Sequence, residues 1–134
     1  MPSFGSKSIE RLNQCHPDIR KVMLEVVKTF DCQILEGYRG KDAQDKAVAE
    51  GKSKTPWPTG KHNTTPSQAV DVVPYYQGKP LDWNYLPQFH YFAGYVLGVA
   101  SQMGVSLRWG GDWNGNNDLR DQTFNDLPHF ELRS

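Results

Sequence analysis

Asp71 stands in the middle of the run Ala69-Val70-Asp71-Val72-Val73. The run has the length and the β-branched content of a buried strand. A carboxylate inside such a strand is tolerated only when a cation or strong hydrogen bonds meet it. Any sheet this chain builds must therefore deliver a positive or hydrogen-donating partner to Asp71. Two histidines are placed to do so. His62 lies upstream in Gly60-Lys61-His62-Asn63, and His129 lies near the end in Asp126-Leu127-Pro128-His129-Phe130-Glu131.

Two imidazoles and one carboxylate make a donor set suited to zinc, and each binds in its deprotonated form. Three protein ligands with a fourth position open is the arrangement of a catalytic zinc ion. Asp126, three residues before His129, is a carboxylate in reach of such a centre and able to accept a proton there. Each residue also has a plain structural reading. His129 could be a packing residue opening a strand, Asp126 a turn residue, and His62 a solvated loop side chain. Spacing alone leaves metal binding and these structural roles both open.

Periodicity assigns the surrounding elements. Pro17 to Phe30 reads as a helix, with Ile19, Val22, Met23, Val26, Val27 and Phe30 on one face and Pro17 in its first turn. Cys32 to Arg39 reads as a short strand ending in a turn, Asp42 to Glu50 as a polar helix closed by Gly51, and Lys52 to Lys61 as a loop. Ala69 to Val73 is a strand and Gln77 to Leu86 is irregular. Pro87 to Met103 is a second long helix ending at Gly104, Val105 to Trp109 a strand, Gly110 to Asp121 a Gly- and Asn-rich loop, and His129 to Arg133 a last strand. The expectation is one α+β domain over residues 1–134, with helices packed on a small antiparallel sheet.

Composition narrows the function classes. Fifteen basic and fifteen acidic residues give a formal charge of zero, which argues against nucleic acid as the main partner. Two cysteines, Cys15 and Cys32, are too few for a disulfide scaffold and lack the paired spacing of a structural zinc site, so two reduced, half-buried thiols are expected. Residues 1–6 carry no basic segment followed by an apolar one, and no apolar run approaches the ~20 residues of a membrane span. Synthesis in the cytosol, no stable membrane association and a separate route for any work outside are the expectations.

Four blocks give the chain a family resemblance. Glu36-Gly37-Tyr38-Arg39 followed by Gln44, the His62 to Asp71 segment, Trp109-Gly110-Gly111-Asp112-Trp113, and Asp126-Leu127-Pro128-His129-Phe130-Glu131-Leu132 occur in one order. From Leu35 to Leu132 the chain resembles the phage-type L-alanyl-D-glutamate endopeptidases, relatives of the VanY-like D-Ala-D-Ala carboxypeptidases. These share a zinc peptidase fold with the hedgehog signalling domain.

The resemblance implies that His62, Asp71 and His129 are zinc ligands and that Asp126 is the general base and later the proton donor to the leaving amine. It gives Arg39 a catalytic role as a substrate clamp or oxyanion stabiliser, with Gln44, Ser67 and Trp109 as further substrate contacts. It departs from the broader family between His62 and Asp71, where the loop is longer and reads Thr65-Pro66-Ser67 in place of a common glycine.

The implied activity is hydrolysis of the L-Ala–D-Glu bond of the peptidoglycan stem peptide by a monomeric phage endolysin. It would accumulate in the host cytoplasm, reach the periplasm or cell wall through a holin-type pore, and have no separate wall-binding domain. A D-Ala-D-Ala carboxypeptidase on the same scaffold and a non-catalytic, hedgehog-like binding module are the alternatives.

Other features carry less. Trp113, like Trp109, is able to line a cleft or to pack. His90, in the aromatic helix, is expected to be no ligand, and His16 to be exposed. Asn116, Asn117, Asp118 and Asp121 could offer oxygens to calcium, but the spaced pattern with a closing glutamate is absent, so a solvated loop is expected.

Overall fold

Four helices and four strands make up the regular structure of the computed structural model, which describes residues 2–133. In chain order they are α1 (Ser6–Leu12), α2 (Pro17–Val27), β1 (Cys32–Glu36), α3 (Lys41–Ala49), β2 (Ala69–Pro74), α4 (Leu86–Gln102), β3 (Leu107–Trp109) and β4 (His129–Leu132). The strands form one antiparallel sheet in the order β1-β2-β4-β3. The last strand thus inserts beside β2, which brings the two histidine-bearing segments of the sequence together. The fold is α+β with a small antiparallel sheet, as the patterning indicates.

The pleat of β2 and β4 separates core from site. Val70 pairs with Phe130 and Asp71 with His129. Successive side chains point to opposite faces, so Val70, Val72 and Phe130 enter the core while Asp71, His129 and Glu131 share the other face. The core side is filled by α2 through Ile19, Val22, Met23 and Val26, and by α4 through Phe92, Ala93 and Val96, all buried. The apolar stripe of α2 forms its helix against this face. His16 caps it by accepting the Asp18 amide on Nδ1 at 3.0 Å, so His16 is half-buried and structural, not exposed as expected.

α2 ends at Val27, short of the expected Phe30. The amides of Thr29 and Phe30 both turn back to the Val26 carbonyl, at 3.1 and 2.9 Å. Phe30 then packs edge-on against Phe92, with ring centroids 5.0 Å apart.

α1 has no counterpart in the periodicity reading. It is short, its Gly5 N-cap offers no side-chain acceptor, and only Ser8 and Leu12 are buried. Its task is local: the Ser8 hydroxyl accepts the Ile34 amide at 3.0 Å, and Arg11 donates to the Ile34 carbonyl at 3.0 Å. Helix side chains thereby occupy the free edge of β1 that would otherwise be open to pairing.

β1 stops at Glu36, where the register shifts after Ile34, and the chain then leaves the sheet in the turn expected before Arg39. At Gly37 a Cβ would lie 2.4 Å from the Arg11 carbonyl oxygen, so only glycine passes there. Both cysteines are free and fully buried, not half-buried, and burial pushes each thiol up to about 12, leaving them unreactive. Among the described residues no helix is long and apolar enough to cross a membrane.

Candidate active site

His62, Asp71 and His129 converge on the open face of the sheet. Each offers one ligand atom, and the three atoms lie within 4.8 Å of one another. Asp71 Oδ1 is 3.2 Å from His62 Nε2 and 3.3 Å from His129 Nδ1. The histidines arrive from different elements. His129 is the first residue of β4, and His62 lies in the 3-10 turn Lys61–Asn63. That turn is fixed by Asn63, which accepts the Gly60 amide at 2.9 Å and donates to the Arg39 carbonyl at 2.9 Å.

The outward nitrogens of both rings are already committed. His62 Nδ1 lies 2.7 Å from the Gly37 carbonyl, and His129 Nε2 lies 2.8 Å from Glu131 Oε1. A carbonyl or carboxylate there takes an N–H, so each ring donates outward and turns a lone pair inward when neutral. Two imidazole lone pairs then face a carboxylate oxygen across a few ångströms. That arrangement is unfavourable unless a cation or extra protons sit among them.

Protons serve when no metal is bound. Burial draws the His129 pKa down, but its hydrogen bonds to Asp71 and Glu131 outweigh this and lift it to about 9. Burial likewise works against ionised Asp71, yet the hydrogen bonds from His129 and His62 hold its carboxyl below the usual range. The donor set, its convergence and its outer hydrogen bonds all fit a divalent metal.

Glu131 is the site residue that spacing left unassigned. It is buried and accepts from His129 on one oxygen and from Arg108 Nη2 at 2.7 Å on the other. A signal was present: His129 and Glu131 are two apart on a strand and must share a face.

Asp126 stands beside this centre, its Oδ2 3.8 Å from His129 Nδ1. Its segment is held by the turn after β3. The Asp126 amide donates to the Gly110 carbonyl at 2.8 Å, and a Cβ at Gly110 would meet the Asp126 carbonyl oxygen at 2.0 Å. Burial, then the charge of Asp71, raise the Asp126 pKa, while His129, His62 and Arg39 pull it back, leaving it at about 6. A carboxyl poised there both accepts and returns a proton near neutral pH.

A cleft of about 470 Å³ opens over these groups, lined by Arg39, His62, Trp113, Phe124, Asp126 and His129 among others. Arg39 donates to Glu36 at 2.9 Å through Nε and to Gln44 at 3.1 Å through Nη1, and its Nη2 reaches Asp71 Oδ2 at 3.5 Å. It therefore steadies Asp71 from behind as well as lining the cleft.

Three expected substrate contacts are buried and hydrogen-bonded within the protein. Ser67 is fully buried, and its hydroxyl donates to the Ala69 carbonyl at 2.7 Å. Gln44 is buried, and its amide is spent on Arg39, Asn63, Ser53 and Thr55. Trp109 is buried, with Nε1 donating to the Leu127 carbonyl at 2.7 Å. None of the three has a free polar group for a ligand.

Trp113 faces the cleft instead, its ring tilted 36° to His129 at 5.3 Å. His90 is exposed and bonds the Leu86 carbonyl at 2.9 Å. The acidic loop after Trp113 is closed on itself: Asp121 accepts from Asn114 and Asn116, and Asp118 pairs with Arg120.

The chain is similar to known peptidases. The sequence profile of the family described as phage L-alanyl-D-glutamate peptidase matches residues 2–133. The L-alanyl-D-glutamate peptidase of Escherichia phage T5 is 30% identical over 121 residues, which is 89% of this chain and 87% of that protein. The crystal structure of the Serratia marcescens L-Ala D-Glu endopeptidase ChiX superposes with a TM-score of 0.70 at 28% identity, covering 98% of this chain and 91% of that one. A profile match over all the described residues, together with a relative of this identity over most of both chains, places the protein in the phage L-alanyl-D-glutamate peptidase family.

Proposed function

We propose that the cleft is a zinc peptidase centre that hydrolyses the L-alanyl–D-glutamate bond of the peptidoglycan stem peptide. The observation that carries this is the inward convergence of two imidazole lone pairs and the Asp71 carboxylate, with Asp126 at 3.8 Å from His129. His62, Asp71 and His129 would hold the ion, which supplies Lewis acidity toward a carbonyl and a water molecule. Asp126 accepts the proton of the attacking water and returns it to the leaving amine, an exchange worth about 10²–10⁴ in rate. Arg39 helps to orient Asp71 and presents positive charge to the carbonyl oxygen as charge develops there.

The shape of the cleft favours an endopeptidase over a carboxypeptidase. A second depression of about 860 Å³, reaching Trp83 and Phe89, shares Arg39, Phe124 and Asp126 with the first. Room on both sides of Asp126 suits a peptide that continues past the cut in both directions. A closed pocket for a free terminal carboxylate would suit the carboxypeptidase. The half-buried Asp126, its pKa raised, argues against a pure binding module, which has no use for a proton carrier.

The family relationship to a phage enzyme supports a role as an endolysin that brings about host lysis. This reading includes a monomer made in the host cytoplasm and released to the cell wall through a holin-type pore. Mass spectrometry of purified peptidoglycan digested with and without a chelator tests it. The expected product is a chelator-sensitive new amino-terminal D-Glu, with L-Ala left on the glycan. Loss of terminal D-Ala alone would overturn the endopeptidase assignment in favour of the carboxypeptidase.

A further inference from the structure

We propose that Lys54 is a specificity-determining residue that binds the free carboxylate of the D-glutamate on the amine side of the cut. The inference rests on the peptidase reading above and assigns one part of its substrate a partner.

The cations lining the two depressions are Arg39, Lys46, Lys52, Lys54 and Lys61. Arg39 is held by Glu36 and Asp71, Lys46 and Lys52 by Glu50, and Lys61 by Glu131. Among the described residues Lys54 has no carboxylate within ion-pair distance. Its ammonium instead lies 4.9 Å from the centroid of the Phe124 ring, an attraction weaker than a carboxylate contact. Phe124 stacks on Trp113 at 6.1 Å, and Trp113 leans on His129 at 5.3 Å, so one continuous aromatic wall runs from the metal-ligand set to the lysine.

The loop that carries Lys54 is anchored to the same machinery. Gln44 Nε2 donates to Ser53 Oγ at 3.0 Å and to the Thr55 carbonyl at 2.6 Å, on either side of Lys54. The same Gln44 accepts from Arg39 and Asn63 on its oxygen, at 3.1 Å each. Lys54 is thus tied through one buried amide to the residues that position Asp71 and His62.

The chemistry of the substrate supplies the counter-charge. D-Glutamate has two carboxyl groups, and one is enough to continue the chain, so a carboxylate stays free a few bonds from the amine that leaves. Lys54 lines the same cleft as Asp126, the proton donor to that amine in the peptidase reading, and its ammonium is the complementary group.

Two probes test this: N-acetyl-L-Ala-D-Glu-L-Lys joined through the glutamate side-chain carboxyl, and the same peptide with the remaining glutamate carboxylate as an amide. The wild-type protein with zinc should cleave the acid with a KM roughly tenfold below that of the amide, the size of one solvent-accessible charged hydrogen bond, with similar kcat. Lys54→Met should erase the difference by raising KM for the acid, and Lys54→Arg should restore it. Equal KM for acid and amide in the wild type, or a preference that survives in Lys54→Met, would overturn the assignment. Cleavage of neither peptide by the wild type would instead overturn the peptidase reading and take this inference with it.

Discussion

Asp71 and His129 are direct partners in the β2–β4 ladder, and Asp71 Oδ1 lies 3.3 Å from His129 Nδ1 across it. The pairing register of the sheet and the geometry of the candidate metal centre are therefore one fact. A slip of one residue between these strands would turn His129 into the core and Phe130 onto the site. Burial of Phe130 and Val70 on the other face thus stabilises the ligand geometry as well as the fold.

Glu131→Gln is expected to weaken zinc binding by about 10- to 100-fold, the usual cost of removing a carboxylate behind a metal-bound imidazole. Glutamine can still accept the Nε2 proton through its oxygen, but it loses the charge that makes His129 a better donor to the ion. Competition against a chromophoric chelator measures the change. An affinity equal to that of the wild type would show that the 2.8 Å contact between Glu131 and His129 is incidental.

Asp126→Asn should leave zinc stoichiometry intact and lower kcat by about 10²–10⁴, since asparagine cannot carry the proton. In the wild type, kcat/KM should fall tenfold per pH unit on the acid side, with an apparent pKa no higher than about 6, because the base must be ionised and a bound cation only lowers its pKa further. Unimpaired turnover in the variant would remove Asp126 from the mechanism.

Much of this site is visible in the residues. An aspartate among valines demands a cation or strong hydrogen bonds, and the two histidines that the motifs single out, His62 and His129, are the ones that meet it in space. What patterning could not give is depth. Ser67, Gln44 and Trp109 lie within or near the blocks that carry the family resemblance, yet only the folded chain shows that their side chains are buried and hydrogen-bonded to the scaffold. Lys54 and Phe124 lie in loops without periodicity, where only the folded chain shows that they line one cleft. α1 escaped for a related reason: its work is done by Ser8 and Arg11 on the edge of β1, and a helix that binds through polar side chains leaves no apolar stripe.

Gly110→Ala should impair both folding and activity. The added Cβ would sit 2.0 Å from the Asp126 carbonyl oxygen, a backbone atom that cannot rotate away, so the segment carrying the base must move. Overpacking of this kind costs about 1–3 kcal/mol. A Tm several degrees lower, with kcat reduced more than metal affinity, is the expected pattern. Gly94→Ala, in α4 with open space around the added methyl, serves as the control and should be neutral or slightly stabilising. An active Gly110→Ala protein of unchanged Tm would contradict the close approach.

The metal-free protein should lose stability as the pH rises from about 6.5 to about 9. His129 has its pKa raised from 6.5 to about 9 in the folded chain, so the folded state binds its proton more tightly than the unfolded state does. That contribution is complete below the unfolded value and is lost as the pH climbs through the folded one. Asp71, whose pKa is depressed, acts with the opposite sign: it stabilises above the ordinary carboxylate range and fails only in strong acid. The alkaline loss therefore belongs to the imidazole, and its cause is the exposure of an ionised Asp71 to two inward lone pairs. Zinc replaces the proton between them, so saturating metal should flatten the alkaline limb of a Tm-against-pH curve and raise Tm most at high pH. Calorimetry on chelator-treated and zinc-loaded protein across this range measures both. Parallel curves, with the same alkaline fall in each, would show that the ion does not bind where the proton does.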